Sequence, residues 1–158
     1  MRKVWSLKLI IFMTALLAAG AWIPQRFTVT ITPSLRHRIY LLDRSPSKAQ
    51  IVRHSYVLFE PHSKLLQGAK TTRTLKQAAC VEGDVLIVKE GLYYCNGTYL
   101  GQAKDYSLKG EKLERFEFQG EIPKDRLFVF GEHVDSFDSR YLGFVRKEDV
   151  IAIAHPIF

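Results

Sequence analysis

Cysteine is scarce in this chain: Cys80 and Cys95 are the only two among 158 residues. That excludes a small scaffold stapled by several bridges, and the pair shows no metal-ligand spacing. Strand-like runs flank the turn between them, so the two thiols suit either one disulfide or two buried free cysteines, and the residues leave both open. Long helical periodicity is missing outside one N-terminal segment, which excludes a helical bundle. There is no internal repeat, no low-complexity tract and no Gly-x-Ser-x-Gly elbow. Acidic residues are also in short supply, 16 against 23 Lys and Arg, giving a formal charge of +7. Such a balance raises nucleic acid or an anionic membrane as partners. The basic residues are scattered, however, without an RNP-type run, zinc-finger spacing or basic helix, so no nucleic-acid partner is expected.

What is present is an ordinary globular composition, 47% apolar and 25% charged, enough for one domain plus an anchor. Arg2, Lys3 and Lys8 precede LIIFMTALLAAGAWI, residues 9 to 23, which carries no charge. Positive residues before an apolar segment leave the N-terminus in the cytoplasm and send the rest across the bilayer. The uncharged run falls between a spanning helix of about 20 residues and a signal-peptide core of about 7 to 15. Counted from Val4, with Lys8 reaching back to the headgroups, it is long enough for a tilted span. LAAGA, residues 17 to 21, also suits a small-residue cleavage site. The division expected is a cytoplasmic N-terminus at 1–8, a transmembrane anchor at 9–25 and an extracytoplasmic domain at 26–158.

Beyond Pro24 the chain reads as β. FTVTIT (27–32) alternates, and IYLLD (39–43), SYVLFE (55–60) and TLKQAACV (74–81) are short apolar runs. DVLIVKEGLYYCNGTYLG (84–101) predicts consecutive strands turning at Glu90-Gly91 and Asn96-Gly97, the second being the strongest short hairpin signal. RFEFQGEIP (115–123), RLFVFGE (126–132), YLGFV (141–145) and VIAIAHPIF (150–158) complete the set. Residues 44–50 and 62–73 read as exposed loops. The fold class expected is mainly β: antiparallel sheets closing in a barrel-like way, with one N-terminal transmembrane helix.

For chemistry, ITPS (31–34) places Ser34 soon after the apolar segment. A serine hydroxyl is inert at neutral pH and needs a base to become a nucleophile. Five histidines are available, His37, His54, His62, His133 and His155, four of them in polar surroundings. A triad assembled in space has no positive support among them. A lysine serves as base only when neutral, which requires apolar burial. Lys76 is suited to this, with Leu75 before it and Ala78, Ala79, Cys80 and Val81 close behind; Lys89, beside a turn, is a weaker rival. By residue type alone, an edge-strand lysine with its head in water is the commoner outcome.

GEIPKDRLFVFGEHVDSFDSRYLGFVRKEDVIA, residues 120 to 152, resembles the C-terminal signature of the type I signal peptidases, the Ser/Lys-dyad family known as peptidase S26. SFDSRYLG (136–143) matches each fixed position of that signature. LKQAACVEGD (75–84) resembles the family's lysine segment, GLYYCNG (91–97) the strand and turn after it, and ITPS the serine segment. The resemblance implies a signal-peptidase fold with Ser34 as nucleophile and Lys76 as general base. Thr32 would join the Ser34 backbone N–H in the oxyanion hole, and Ser136 would orient the lysine. Asp138 and Arg140 would be an ion pair supporting that loop. It implies no cofactor and no metal, and it favours retention of the N-terminal segment, since cleavage occurs where substrates leave the bilayer.

Several positions depart from the family pattern. Gln77 follows the lysine where arginine is common, His54-Ser55 stands where Gly-Asp is usual, the loop opens GEHV rather than GDNR, and LRH follows the serine. The compact size and T-x-S serine segment resemble the small TraF-type peptidases of conjugative transfer systems. That subfamily implies a prepilin substrate, a linear or cyclised product, and partners in the transfer apparatus and the lipid bilayer. The alternative from another class is a non-catalytic, peptidase-like assembly protein of such an apparatus.

Overall fold

Short apolar runs become strands because β-branched and aromatic residues fit a pleated, half-buried surface. The structure, a computed structural model, describes residues 2–30, 34–61 and 73–158. Helix α1 (Arg2–Arg26) leads directly into β1 (Phe27–Val29). The strands that follow are β2 (Ile39–Asp43), β3 (Tyr56–Phe59), β4 (Thr74–Val81), β5 (Val85–Lys89), β6 (Leu92–Cys95), β7 (Thr98–Gln102), β8 (Gln119–Glu121) and β9 (Arg126–Phe130). A one-turn helix α2 (Ser139–Leu142), β10 (Val145–Arg146) and β11 (Val150–Pro156) complete the described elements.

The strands form two antiparallel sheets rather than one closed barrel. A seven-stranded sheet runs β1-β2-β11-β3-β4-β9-β10, and a four-stranded sheet runs β7-β6-β5-β8. Cys80 and Phe128 from the large sheet pack with Leu86, Tyr93 and Cys95 from the small one in a single buried cluster. On β3, Val57 and Phe59 pack with Leu127, Val129 and Ile153, while Leu58 joins Leu35, Tyr40, Leu42 and Ala154. Alternation along one strand thus buries side chains of the large sheet on both faces.

Two turns follow directly from their residues. Glu90-Gly91 has φ of 52° and 76°, and Asn96-Gly97 has φ of 48° and 79°. Consecutive left-handed residues match the twist of a two-residue hairpin, so β5-β6 and β6-β7 pair across them. Other expectations need correction. The strand expected at 115–123 narrows to 119–121. YLGFV is no continuous strand: the Asp138 side chain accepts from Arg140 N and caps α2, and Gly143, at φ 73°, ends it. The loop at 44–50 contains a 3-10 turn at Lys48–Gln50, and most of the 62–73 loop lies outside the described residues.

A disulfide joins Cys80 on β4 to Cys95 on β6, with Cα atoms 5.9 Å apart, and so ties one sheet to the other. Its closed loop spans 15 residues in sequence. Replacing both cysteines by serine should lower unfolding stability by about 3 kcal/mol, read as a lower denaturant midpoint at unchanged slope.

Side chains of α1 are described from Leu7 to Trp22 and at Arg26, and the large apolar ones, among them Leu9, Ile10, Phe12 and Leu17, are exposed. Among the described residues, no helix is long and apolar enough to cross a membrane.

Candidate active site

Ser34 opens the turn that follows β1. Next to it Leu35 is buried against Tyr40, Leu42 and Leu58, which pins the turn to the large sheet. The turn is also held from across the fold. Arg36 N donates to Glu132 Oε2 at 2.9 Å, Tyr56 Oη donates to Glu132 Oε1 at 3.2 Å, and His133 N donates to the Ser34 carbonyl at 3.4 Å. Thr32, the other residue expected at this turn, lies outside the described residues.

Lys76 stands in the middle of the large sheet, on β4 between β3 and β9, opposite Val57. It is no edge lysine with its head in water: it is 4% exposed. Burial strips water from the ammonium and pulls its pKa from 10.5 down to about 8. The Asp138 charge opposes that shift, and the Arg140 guanidinium adds to it. Nζ lies 2.7 Å from Ser136 Oγ, to which it donates.

Ser34, Lys76, His133 and Ser136 line one cavity of about 790 Å³, with β1 and the following Thr30 forming another part of its wall. A hydroxyl and an amine with a lowered pKa therefore face a shared space large enough for a peptide.

The lysine–serine contact needs a bare backbone behind it. A Cβ built on Gly131 would stand 2.6 Å from Ser136 Cβ and 3.2 Å from Lys76 Nζ, and closer still to Ser136 Oγ. Gly131→Ala should therefore displace Ser136 and cut kcat/KM by about tenfold or more. Circular dichroism should show the β content unchanged.

The SFDSRYLG segment is built around a buried ion pair. Asp138 and Arg140 have side chains 0% and 1% exposed, and Arg140 donates from Nε to Oδ1 at 2.9 Å and from Nη2 to Oδ2 at 2.8 Å. Asp138 Oδ2 also accepts from Gly131 N at 2.8 Å. Arg140 Nη1 donates to the Gln102 carbonyl at 2.8 Å, Nη2 donates to the Ser136 carbonyl at 3.0 Å, and the guanidinium lies over the Phe130 ring at 4.5 Å. Buried charges need such full pairing. Ser139 Oγ accepts from Val129 N at 2.9 Å, tying α2 to β9. Asp138 and Arg140 thus hold Gly131 and Ser136 together, and neither lines the cavity.

The remaining candidates disperse. Lys89 is exposed in the four-stranded sheet, away from Ser34. His37 sits edge-on to the Tyr40 and Tyr56 rings, His54 occupies a left-handed turn at φ 71°, and His155 is exposed on β11. His62 lies outside the described residues. Cys80, Asp84 and Cys95 are the one group among the described residues with atoms close enough to share a metal, and the disulfide already occupies both sulfurs. Sequence reasoning missed Glu132. Its only signal was negative: GEHV and LRH both leave the family pattern, and in the structure those two departures meet, Glu132 against Arg36.

The profile of a family described as "Signal peptidase, peptidase S26" matches residues 2–158. The chain belongs to this signal peptidase family. It is accordingly a hydrolase, a serine peptidase of the signal-peptidase kind acting on preproteins. Among solved structures, a signal peptidase I from Enterococcus faecalis V583 is similar at 21% identity, over 69% of this chain and 96% of that one, with a TM-score of 0.43. No curated protein matches the sequence. Within a signal peptidase, the cavity that holds Ser34 and Lys76 is where the chemistry is to be sought.

Proposed function

We propose that this signal peptidase cuts with a Ser/Lys dyad, Ser34 as nucleophile and Lys76 as general base. The observation that carries the proposal is Lys76: a lysine buried in a sheet interior, with its pKa brought down to about 8, sharing a cavity with a serine. Neutral Lys76 takes the Ser34 hydroxyl proton as Oγ attacks the scissile carbonyl. The oxyanion is received by the Ser34 N–H and the Thr32 hydroxyl. The lysine then protonates the leaving amine, and water hydrolyses the acyl-serine. Ser136 orients Nζ, and the Asp138–Arg140 pair steadies the loop from behind. The substrate adds as an extended strand alongside β1, the edge strand of the sheet among the described residues, which lines the cavity.

Since only the neutral amine accepts a proton, activity should rise with pH. The kcat/KM profile should climb about tenfold per pH unit below a midpoint near 8 and level off above it. A flat profile from pH 6 to 9 would remove Lys76 as the base.

The chain works at a bilayer, anchored by α1 with the peptidase domain outside the cytoplasm. The 25-residue backbone of α1 is about 37 Å long, against hydrocarbon about 30 Å thick, although its described residues alone do not make an apolar stretch long enough to cross. Exposed apolar side chains all round its described part support this setting. Arg26 lies over the Trp22 ring at 5.2 Å, the residue types that favour a membrane interface. The disulfide suits an oxidising compartment. Within the family, the compact domain and the T-x-S serine segment support a prepilin of a conjugative transfer system as the substrate, with a linear or cyclic product.

The test uses the full-length protein in detergent with a candidate precursor. Acid quenching should leave the acyl group on the peptide that contains Ser34, seen by mass spectrometry. A cyclic product would weigh one water less than the linear one. An acyl group on any other residue, or cleavage with no covalent intermediate, would sink the dyad.

A further inference from the structure

A second groove opens beside the cavity and has no part in the chemistry above. It has a volume of about 790 Å³, and Leu108, Asp135, Ser136 and Phe137 line both spaces. The contact between Lys76 and Ser136 therefore sits near a junction, with β1 at one end and this groove at the other. Tyr106, Leu108, Leu113, Phe137 and Tyr141 give it an apolar wall, and lysine, glutamate, aspartate and serine side chains line the rest.

Two of these residues are poorly placed for a protein surface in water. Leu108 is 84% exposed and Tyr106 is 61% exposed. They sit on a small hairpin that is well held. Tyr106 pairs with Lys112, Ser107 N donates to the Glu111 carbonyl at 2.8 Å, and Ser107 Oγ accepts from Lys109 N at 3.1 Å and Glu111 N at 3.2 Å. Its base is tied to the Asp135–Tyr141 segment: Lys104 N donates to Tyr141 Oη at 2.8 Å, and Lys104 Nζ pairs with Asp135. Phe137 stacks on Tyr141 with ring planes 2° apart. An ordered hairpin that displays a leucine over an apolar groove continuous with a reaction site is built to meet an apolar ligand.

The polarity of the substrate selects the occupant, and here the inference rests on the proposed function. A signal peptide keeps its apolar stretch in the bilayer, ahead of the bond to be cut. β1 follows α1 without a break, so the acyl side of the substrate lies along β1. The leaving side must then run the other way, past Ser136 and Phe137. We infer that the groove under the Tyr106–Lys112 hairpin binds the segment after the scissile bond, taking an apolar side chain between Leu108 and Phe137.

The experiment compares two synthetic substrates with the full-length protein in detergent. They share one signal segment; the long one continues about eight residues past the cleavage site with a leucine within the first four, and the short one stops after two. Leu108→Asp should lower the ratio of kcat/KM, long over short, by about tenfold, the worth of one apolar contact. Putting lysine in place of that substrate leucine should recover most of the ratio for L108D and none of it for the wild type. Because Leu108 is exposed, the variant should fold normally. An unchanged ratio, or a loss shared equally by both substrates, overturns the groove assignment while leaving the peptidase reading intact. If the wild type cleaves neither substrate, the peptidase reading falls first and the groove assignment falls with it.

Discussion

Lys76→Ala is expected to lower kcat by at least about a thousandfold, Ser34→Ala by a similar factor, and the double variant no further than either alone. The shared loss follows from the mechanism. Without the amine, the Ser34 hydroxyl keeps its proton; without the hydroxyl, the amine has nothing to activate. What survives is whatever binding and the oxyanion donors supply. Non-additivity separates this from a general loss of fit, because independent defects would multiply. Both variants should bind substrate with KM little changed, measured by initial rates at high enzyme concentration. Two separate losses that multiply in the double variant would show that Ser34 and Lys76 do not act as a unit.

Arg140→Met is expected to cost about 3 to 5 kcal/mol of stability, because it leaves the Asp138 carboxylate buried without its counter-charge. Asp138→Asn should cost a similar amount: its amide oxygen can still accept from Gly131 N, but the Arg140 guanidinium is left buried without its counter-charge. Arg140→Lys should not restore the wild type. One ammonium cannot reproduce the fork that reaches both Asp138 oxygens and the carbonyls of Gln102 and Ser136 at once. Urea denaturation at unchanged slope reads the stability loss. The activity remaining in the folded fraction reads how far Ser136 has shifted from Lys76. If Arg140→Met unfolds at the wild-type midpoint, the pair is ornamental.

The sequence made the β architecture legible because short alternating runs and Asn-Gly turns act locally. Asn96-Gly97 takes the two left-handed conformations that its own residue types favour in a hairpin turn. Lys76 was singled out by its apolar neighbours along β4, but the resemblance of LKQAACVEGD and SFDSRYLG to the signal peptidases, not the local residues, decided for it over an edge lysine. Partners from distant segments were not visible. Glu132 meets Arg36 across 96 positions, and Tyr56 across 76, and no local pattern announces either contact. YLGFV misled because its apolar content matches a strand, while the cap by Asp138 and the left-handed Gly143 decide for a turn of helix. The sorting of strands into two sheets was equally hidden, since it rests on which faces meet across the core.

The order of the large sheet bears on when the enzyme can come alive. Among the described strands, β1 and β2, which flank the Ser34 turn, connect by backbone pairing to β3 and to β4, which carries Lys76, through β11. That strand comes later in the chain than any other in either sheet, and it pairs with β2 on one side and β3 on the other. A chain emerging N-terminus first would hold its serine and its lysine on two separate sheet fragments until residues 150 to 156 slot between them. Such long-range pairing is slow to form. The proposed dyad is therefore assembled only once β11 has paired with both β2 and β3.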